Sequence, residues 1–181
     1  MPISADHIRT TLTAYLDIHP EEKPDLAPVL ALLDTGAGLT SRKEFRAHAT
    51  AGAILAGPDN RILHIHHLVL DKWLLPGGHL EPEDETLQDA ALRELCEETG
   101  ISVSSVTPAG DAPIHIDVHA IPANDAKGEP EHQHIDFRFL FRTTSTDIST
   151  LQAEEVVDAA WLDVDAMEAS ALGQRVAIEL R

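Results

Sequence analysis

The run from Gly77 to Ile101 restricts the fold of this chain more than any other segment. It opens with Gly77-Gly78-His79-Leu80-Glu81-Pro82-Glu83-Asp84-Glu85 and closes with Arg93-Glu94-Leu95-Cys96-Glu97-Glu98-Thr99-Gly100-Ile101. Between these ends the pattern has a helical period. Leu87, Ala91 and Leu95 recur at i, i+4 and i+8, a narrow apolar stripe for burial. Thr86-Leu87-Gln88-Asp89 reads as a capping box, and Gly100 supplies the left-handed residue that commonly closes a helix. On such a helix Glu94, Glu97 and Glu98 stand at i, i+3 and i+4 and share one face. Like charges so placed cost a bare helix about 0.2–0.5 kcal/mol per pair, so a compensating divalent cation is expected. The alternative is a solvated acidic face, the usual fate of a charge run. The Gly-Gly turn ahead of the helix and the glycine stop behind it weigh against that alternative. An all-oxygen cluster suits a hard ion, Mg2+ with Mn2+ as second choice, rather than Zn2+. Ala90, one turn before Glu94, leaves room for ions, and a rigid helix holds such a site well.

These residues resemble the signature of the Nudix hydrolases: a glycine, five residues, a glutamate, seven residues, then Arg-Glu-apolar-x-Glu-Glu-x-Gly-apolar. Gly78, Glu85, Arg93, Glu94, Leu95, Glu97, Glu98, Gly100 and Ile101 supply it, with one departure: six residues, not five, separate Gly78 from Glu85. The extra residue is expected within Glu81-Pro82-Glu83-Asp84, in a loop that tolerates insertion. The resemblance implies that Glu94, Glu97 and Glu98 hold the metal ions with the Gly78 carbonyl as a further ligand. It implies that Arg93 orients the carboxylates beside the Glu85 loop, and that a glutamate acts as base toward water. The implied reaction is hydrolysis of a diphosphate linkage, in a nucleoside diphosphate derivative or similar compound. Chemistry agrees, because a diphosphate is repelled by bare carboxylates. Bound cations reverse the field and lower the pKa of a bound water. Two alternatives keep the fold. An isoprenyl diphosphate isomerase needs a reactive cysteine in a separate motif before the box, and this chain has only Cys96. A catalytically silent ligand-binding module is opposed by the complete glutamate set.

A formal net charge of −18 argues against a nucleic-acid polymer or an anionic membrane as the main partner. A small-molecule diphosphate must then rely on local metals for attraction. The single Cys96 excludes an internal disulfide and fits a reducing, cytoplasmic compartment. Its glutamate neighbours should raise its thiol pKa, which argues against a nucleophilic role. No basic, apolar leader opens the chain, and Pro28–Leu33 is too short to span a bilayer.

Residues 1–45 read as a helical N-terminal extension, and 46–181 as the Nudix-like domain. Ile8, Leu12 and Leu16 form one apolar stripe. Leu26, Val29, Leu30 and Leu33 form a second, interrupted by Pro24 and Pro28. Ser41-Arg42-Lys43-Glu44 is a further capping-box pattern opening a short turn. Covering the domain's own core, or contacting a second subunit in a homodimer, outranks bordering the substrate as the role of this arm. From residue 46 the period becomes two. Strands are expected at His48–Ala56 and Arg61–Leu70 around the turn Gly57-Pro58-Asp59-Asn60, then at Lys72–Pro76, Ser102–Val106, Pro113–Ile121, Ile135–Thr143 and Trp161-Leu162. A helical segment is expected to begin in Val164–Leu172. Period alone supports an α+β chain; the resemblance implies an α/β/α sandwich with a mixed sheet.

His132, His134 and Asp136 alternate, so a strand turns them to one face. Such a row can bind Zn2+, but a polar strand face lining a cleft or facing solvent is favoured. His115, Asp117 and His119 repeat the pattern on the preceding strand. His64, His66 and His67 read as packed or surface residues, while His79 is best placed to touch phosphate. Phe137, Phe139, Phe141 and Trp73 are the aromatic candidates for stacking, and periodicity sends most of them to the core. Glu154-Glu155 lie where the resemblance places a further glutamate near the metals; a solvated loop is an equal reading.

Overall fold

In the computed structural model, residues 2–148, 151, 156–167 and 170–181 are described. Two helices lead the chain, α1 (Ala5–Ile18) and α2 (Lys23–Asp34), separated by a 3-10 turn at Pro20–Glu22. The expected break in α2 does not occur. Pro24 falls in the first turn, where its missing N–H is no loss, and Pro28 sits inside a continuous helix. That costs one backbone hydrogen bond, which the burial of Leu26, Val29 and Leu33 offsets. Residues 38–45 form turns. Instead of capping a helix, Glu44 accepts two guanidinium hydrogen bonds from Arg46, at 3.0 and 2.7 Å.

The strands are β1 (Ala47–Ala56), β2 (Ile62–His67), β3 (Lys72–Leu74), β4 (Gly77–His79), β5 (Val106–Pro108), β6 (His115–Ile121), β7 (His132–Thr143) and β8 (Val156–Leu162). Helix α3 (Leu87–Thr99) follows β4, and α4 (Ala171–Glu179) follows β8. All eight strands join one mixed sheet along β3-β2-β1-β7-β5, with β4 on β1, β6 on β7 and β8 on β2. The central pair, β1 and β7, is parallel; every other pairing is antiparallel. Two expected spans move. Ser102–Val106 is mostly a 3-10 turn at Val103–Ser105, with the strand beginning at Val106. Within Val164–Leu172 a 3-10 turn covers Val164–Met167, and α4 starts only at Ala171, behind a Ser170 cap.

Every residue of β1 is buried, so its period of two does not separate wet from dry. It separates two covered faces. Ala49, Ala51, Ala53 and Leu55, with Ile135, Phe137, Phe139 and Phe141 of β7, face the larger core. Leu87, Ala90, Ala91 and Leu95 of α3 pack there, as do Ile8, Leu12 and Tyr15 of α1 and Leu26, Val29 and Leu33 of α2. The N-terminal arm therefore covers the domain's own core. The opposite face is divided along the strands. At one end Ile54 pairs with Leu140 beneath Leu172 and Val176 of α4. Toward the other end the pairs are Gly52 with Arg138, Thr50 with Asp136 and His48 with His134. Polar side chains there remain uncovered by a helix, and a cleft of about 1170 Å³ opens over them.

Candidate active site

Helix α3 forms where the sequence places it. Thr86 accepts a hydrogen bond from the Asp89 N–H, and Gly100 ends the helix at φ 67°. Its apolar stripe, Leu87, Ala91 and Leu95, is fully buried. That burial fixes the rotation of the helix and turns Glu94, Glu97 and Glu98 toward β4. Glu94 lies against the Cα of Gly78 so closely that a Cβ there would meet its Oε1 at 2.5 Å and its Cδ at 2.6 Å. Glu98, 7% exposed, accepts the Gly77 N–H at 3.1 Å. Glu97 is the outermost of the three, its side chain 49% exposed. The Gly-Gly strand therefore lets a helix carry two sheltered carboxylates right up to a sheet backbone. Burial raises the Glu94 pKa, against the lowering pull of Arg93.

Arg93 ties these pieces together. Its Nε and Nη2 donate to the two oxygens of Asp84 at 2.9 and 3.1 Å. Nη2 also donates to the His79 carbonyl at 2.9 Å, and Nη1 to Glu94 and Glu97 at 3.0 Å each. Asp84 first, and Glu94 after it, raise the pKa of the guanidinium further. The acid that this loop brings to Arg93 with both oxygens is Asp84, the neighbour of the Glu85 to which spacing pointed. Five residues, 79–83, separate Gly78 from Asp84. The departure from the signature therefore lies after the acid, and the acid is one methylene shorter. Asp84 is 4% exposed and closes a tight turn, donating its N–H to the Glu81 carbonyl at 3.1 Å. Its Oδ2 accepts the Glu81 N–H at 2.7 Å. The arm braces this loop. Ile3 N–H donates to the Asp84 carbonyl at 3.2 Å, and His7 Nε2 accepts the Leu87 N–H at 3.2 Å. Counting five residues from Gly78 and admitting an aspartate would have found Asp84; the brace has no local sequence signal.

Strand register assembles the rest of the cleft. β6 lies beside β7 with His119 opposite His134, Asp117 opposite Asp136 and His115 opposite Arg138, so the two polar rows adjoin. Arg138 donates to Asp136 at 2.7 Å, Thr50 donates to the other oxygen of Asp136 at 3.1 Å, and His119 Nδ1 meets Asp117 at 2.9 Å. His119 lowers the pKa of Asp117 and is itself raised by that hydrogen bond. Burial, followed by the Arg42 and His48 charges, pushes His79 down to about 4. Burial and then His48 push His134 down to about 3. His132 is held by its Nδ1 donating to the Pro130 carbonyl at 2.7 Å. Phe137, Phe139 and Phe141 are core residues; Trp73 is 43% exposed on the cleft rim, its ring 5.1 Å from that of His66 and tilted 48° to it. The Cys96 thiol pKa is raised, by burial first and Glu97 second. Glu154-Glu155 lie outside the described residues. Among the described residues no helix is long and apolar enough to cross a membrane.

The profile of the NUDIX domain matches residues 46–180. The chain belongs to the Nudix family. A probable DHNTP pyrophosphohydrolase of Lactococcus lactis subsp. cremoris (strain MG1363) is 36% identical over 90 residues, covering 50% of this Nudix chain and 51% of that protein. The chain thus spans about half the length of that relative. An RNA pyrophosphohydrolase of Erythrobacter litoralis (strain HTCC2594) is 27% identical over 139 residues, 71% of this chain and 84% of that one. A binary complex of the C. elegans Ap4A hydrolase shares the fold, with a TM-score of 0.53 at 19% identity over 73% of this chain and 96% of that one.

Proposed function

We propose that this Nudix protein is a divalent-metal-dependent pyrophosphohydrolase acting on a nucleoside diphosphate derivative or a similar small diphosphate. The observation that carries the reading is the seating of Glu94 against Gly78 and of Glu98 on the Gly77 N–H, with Glu97 on the same helix and Arg93 bonded to both Glu94 and Glu97. The donor set fits a hard cation. All its atoms are oxygens, two of the three carboxylates are sheltered, and the glycine leaves no Cβ to occupy the space. Glu94, Glu97, Glu98 and the Gly78 carbonyl are the residues assigned to hold Mg2+, or Mn2+ in its place. When bound, the ions neutralise charge on the phosphates and lower the pKa of the attacking water.

The remaining steps belong to the chain. Arg93 holds the carboxylates of Asp84, Glu94 and Glu97 in place through its hydrogen bonds. A carboxylate of this set takes the proton of the attacking water. Arg42, Lys127 and Arg138 line the cleft and offer cationic contacts to the substrate's anionic groups in a protein of net charge −18. The exposed Trp73 on the rim offers a face for an aromatic group. The lone cysteine suits a cytoplasmic setting.

The test is a screen of diphosphate compounds with Mg2+, identifying products as well as rates, run on the wild type and on Glu98→Gln. Glu98→Gln keeps an oxygen to accept the Gly77 N–H, so it should melt like the wild type while losing at least about 100-fold in turnover. Wild-type turnover in that variant removes Glu98 from the site. No hydrolysis of any diphosphate by the wild type with either metal overturns the reading.

A further inference from the structure

A second cluster stands beside the glutamates and has no part in the reaction just described. Parallel pairing of β1 with β7 sets His48 beside His134, and antiparallel pairing of β4 with β1 sets His79 opposite Thr50, one step along the same face. The ring centroids of His48 lie 4.7 Å from His134 and 5.2 Å from His79, and those of His79 and His134 are 5.2 Å apart. One ring nitrogen from each of the three lies within 4.8 Å of the others.

Hydrogen bonds set which nitrogens are lone pairs. The Nδ1 of His48 meets the Glu44 carbonyl at 3.2 Å, and a carbonyl only accepts, so Nδ1 carries the proton. Its Nε2 is then a lone pair, and that atom is buried without a partner on a residue 1% exposed. The same logic runs along the neighbouring strand. His132 Nδ1 donates to the Pro130 carbonyl at 2.7 Å, leaving its Nε2 to accept from His134 Nε2 at 3.3 Å. His134 Nδ1 is thereby also a lone pair. Backbone carbonyls and a second imidazole that orient a ring through its far nitrogen are the usual support for a metal-ligating histidine. A buried polar atom without a partner costs about 1–3 kcal/mol, and a ligand would remove that cost.

We propose that His48, His79 and His134 form a site for one transition-metal ion of the Zn2+ class, separate from the carboxylate site. Three neutral imidazoles favour such a borderline ion over Mg2+. Nitrogens about 2.0–2.1 Å from Zn2+ lie about 4 Å or less from one another, and the three here are already within 4.8 Å. His79 and His134 line the cleft, so the remaining coordination position opens into it and takes water or an anionic oxygen of the cleft's occupant. The ligand set differs from the His132, His134 and Asp136 row considered from sequence; only His134 is common to both. The site does not depend on the hydrolase reading, since it needs none of the glutamates.

The experiment uses tag-free protein stripped with a chelator and titrated with Co2+, whose four-coordinate complexes absorb visible light far more strongly than six-coordinate ones. One equivalent should bind with the strong spectrum, be displaced by Zn2+ and resist excess Mg2+. His134→Gln and His48→Gln should each weaken binding by about 10- to 100-fold or more, whereas Glu94→Gln and Glu98→Gln should leave it intact. A weak six-coordinate spectrum, competition by Mg2+, or loss in the glutamate variants with retention in the histidine variants would overturn the proposal. His48 is buried, so its variant can fail to fold. The wild type then decides through nitrogen–proton correlation spectra of its imidazoles. Zn2+ should shift His48 Nε2 and His134 Nδ1, and unmoved resonances refute the site.

Discussion

Gly78→Ala probes the arrangement of helix and strand at the point where the two are closest. Gly78 does not have a positive φ, so alanine is tolerated by the backbone, and the whole effect falls on contacts. The new Cβ would stand 2.5 Å from Glu94 Oε1, and contacts under 3.0 Å are essentially never tolerated, so the carboxylate must retreat by at least half an ångström. It is not free to swing, because Arg93 holds the same oxygen at 3.0 Å and the α3 backbone is fixed by its buried stripe. A misplacement approaching 1 Å costs about 100-fold in rate, roughly 2.7 kcal/mol of transition-state stabilisation. Overpacking a flexible side chain should cost only about 1 kcal/mol of stability, a melting shift of about 2–4 °C at this length. Gly77→Ala is the contrast. Its Cβ would meet the Ala51 carbonyl oxygen and Gly52 Cα at 2.8 Å, and backbone atoms in a paired strand cannot withdraw. That variant should lose more stability than Gly78→Ala does. Turnover and calorimetric melting of both variants, with Gly110→Ala as an open-space control, check the argument. Wild-type turnover in Gly78→Ala would refute it, since Glu94 would then be active from a displaced position or not needed at all.

Arg93→Ala leaves Asp84, 4% exposed, without its counter-charge and should cost about 3 kcal/mol by denaturant unfolding as well as most of the turnover; unchanged stability would make the arginine a surface charge. Deleting Glu83 should unfold the Glu81–Asp84 turn and abolish activity, whereas deleting Glu85, beyond Asp84, should retain more of both; the opposite ranking in paired activity and melting assays would return the acidic role to Glu85. His119, held above its ordinary value by Asp117, stabilises the fold while protonated and loses that contribution as pH rises through its folded pKa. Asp117, held below its ordinary value, loses its contribution as pH falls through its own. In an NMR titration Asp117→Asn should therefore lower the His119 midpoint, and an unmoved midpoint would show that the 2.9 Å contact does not persist in solution.

Helix α3 was legible because every determinant of it is local. The cap at Thr86, the stripe of Leu87, Ala91 and Leu95, the stop at Gly100 and the shared face of Glu94, Glu97 and Glu98 follow from a period of 3.6 and from backbone chemistry within one element. The alternation of β7 was legible for the same reason. It told which residues share a face, and so foretold that Phe137 would be buried opposite His134 and Asp136. Two local readings failed where a tertiary contact overrode them. Pro28 stayed in a helix because the core rewards burying Leu26, Val29 and Leu33, and Asp84 took the place that spacing gave the Glu85 loop because its two oxygens meet Nε and Nη2 of Arg93.

Sequence alone therefore determined the elements that write their own instructions: the helix, its capping, its line of carboxylates and the glycines that must lie beneath them. Tertiary structure alone decided which strands are neighbours. A strand's period names its two faces but carries no record of the partner's register. The meeting of His48, His79 and His134, drawn from three strands far apart in the chain, became visible only once β1 had paired with β4 and β7.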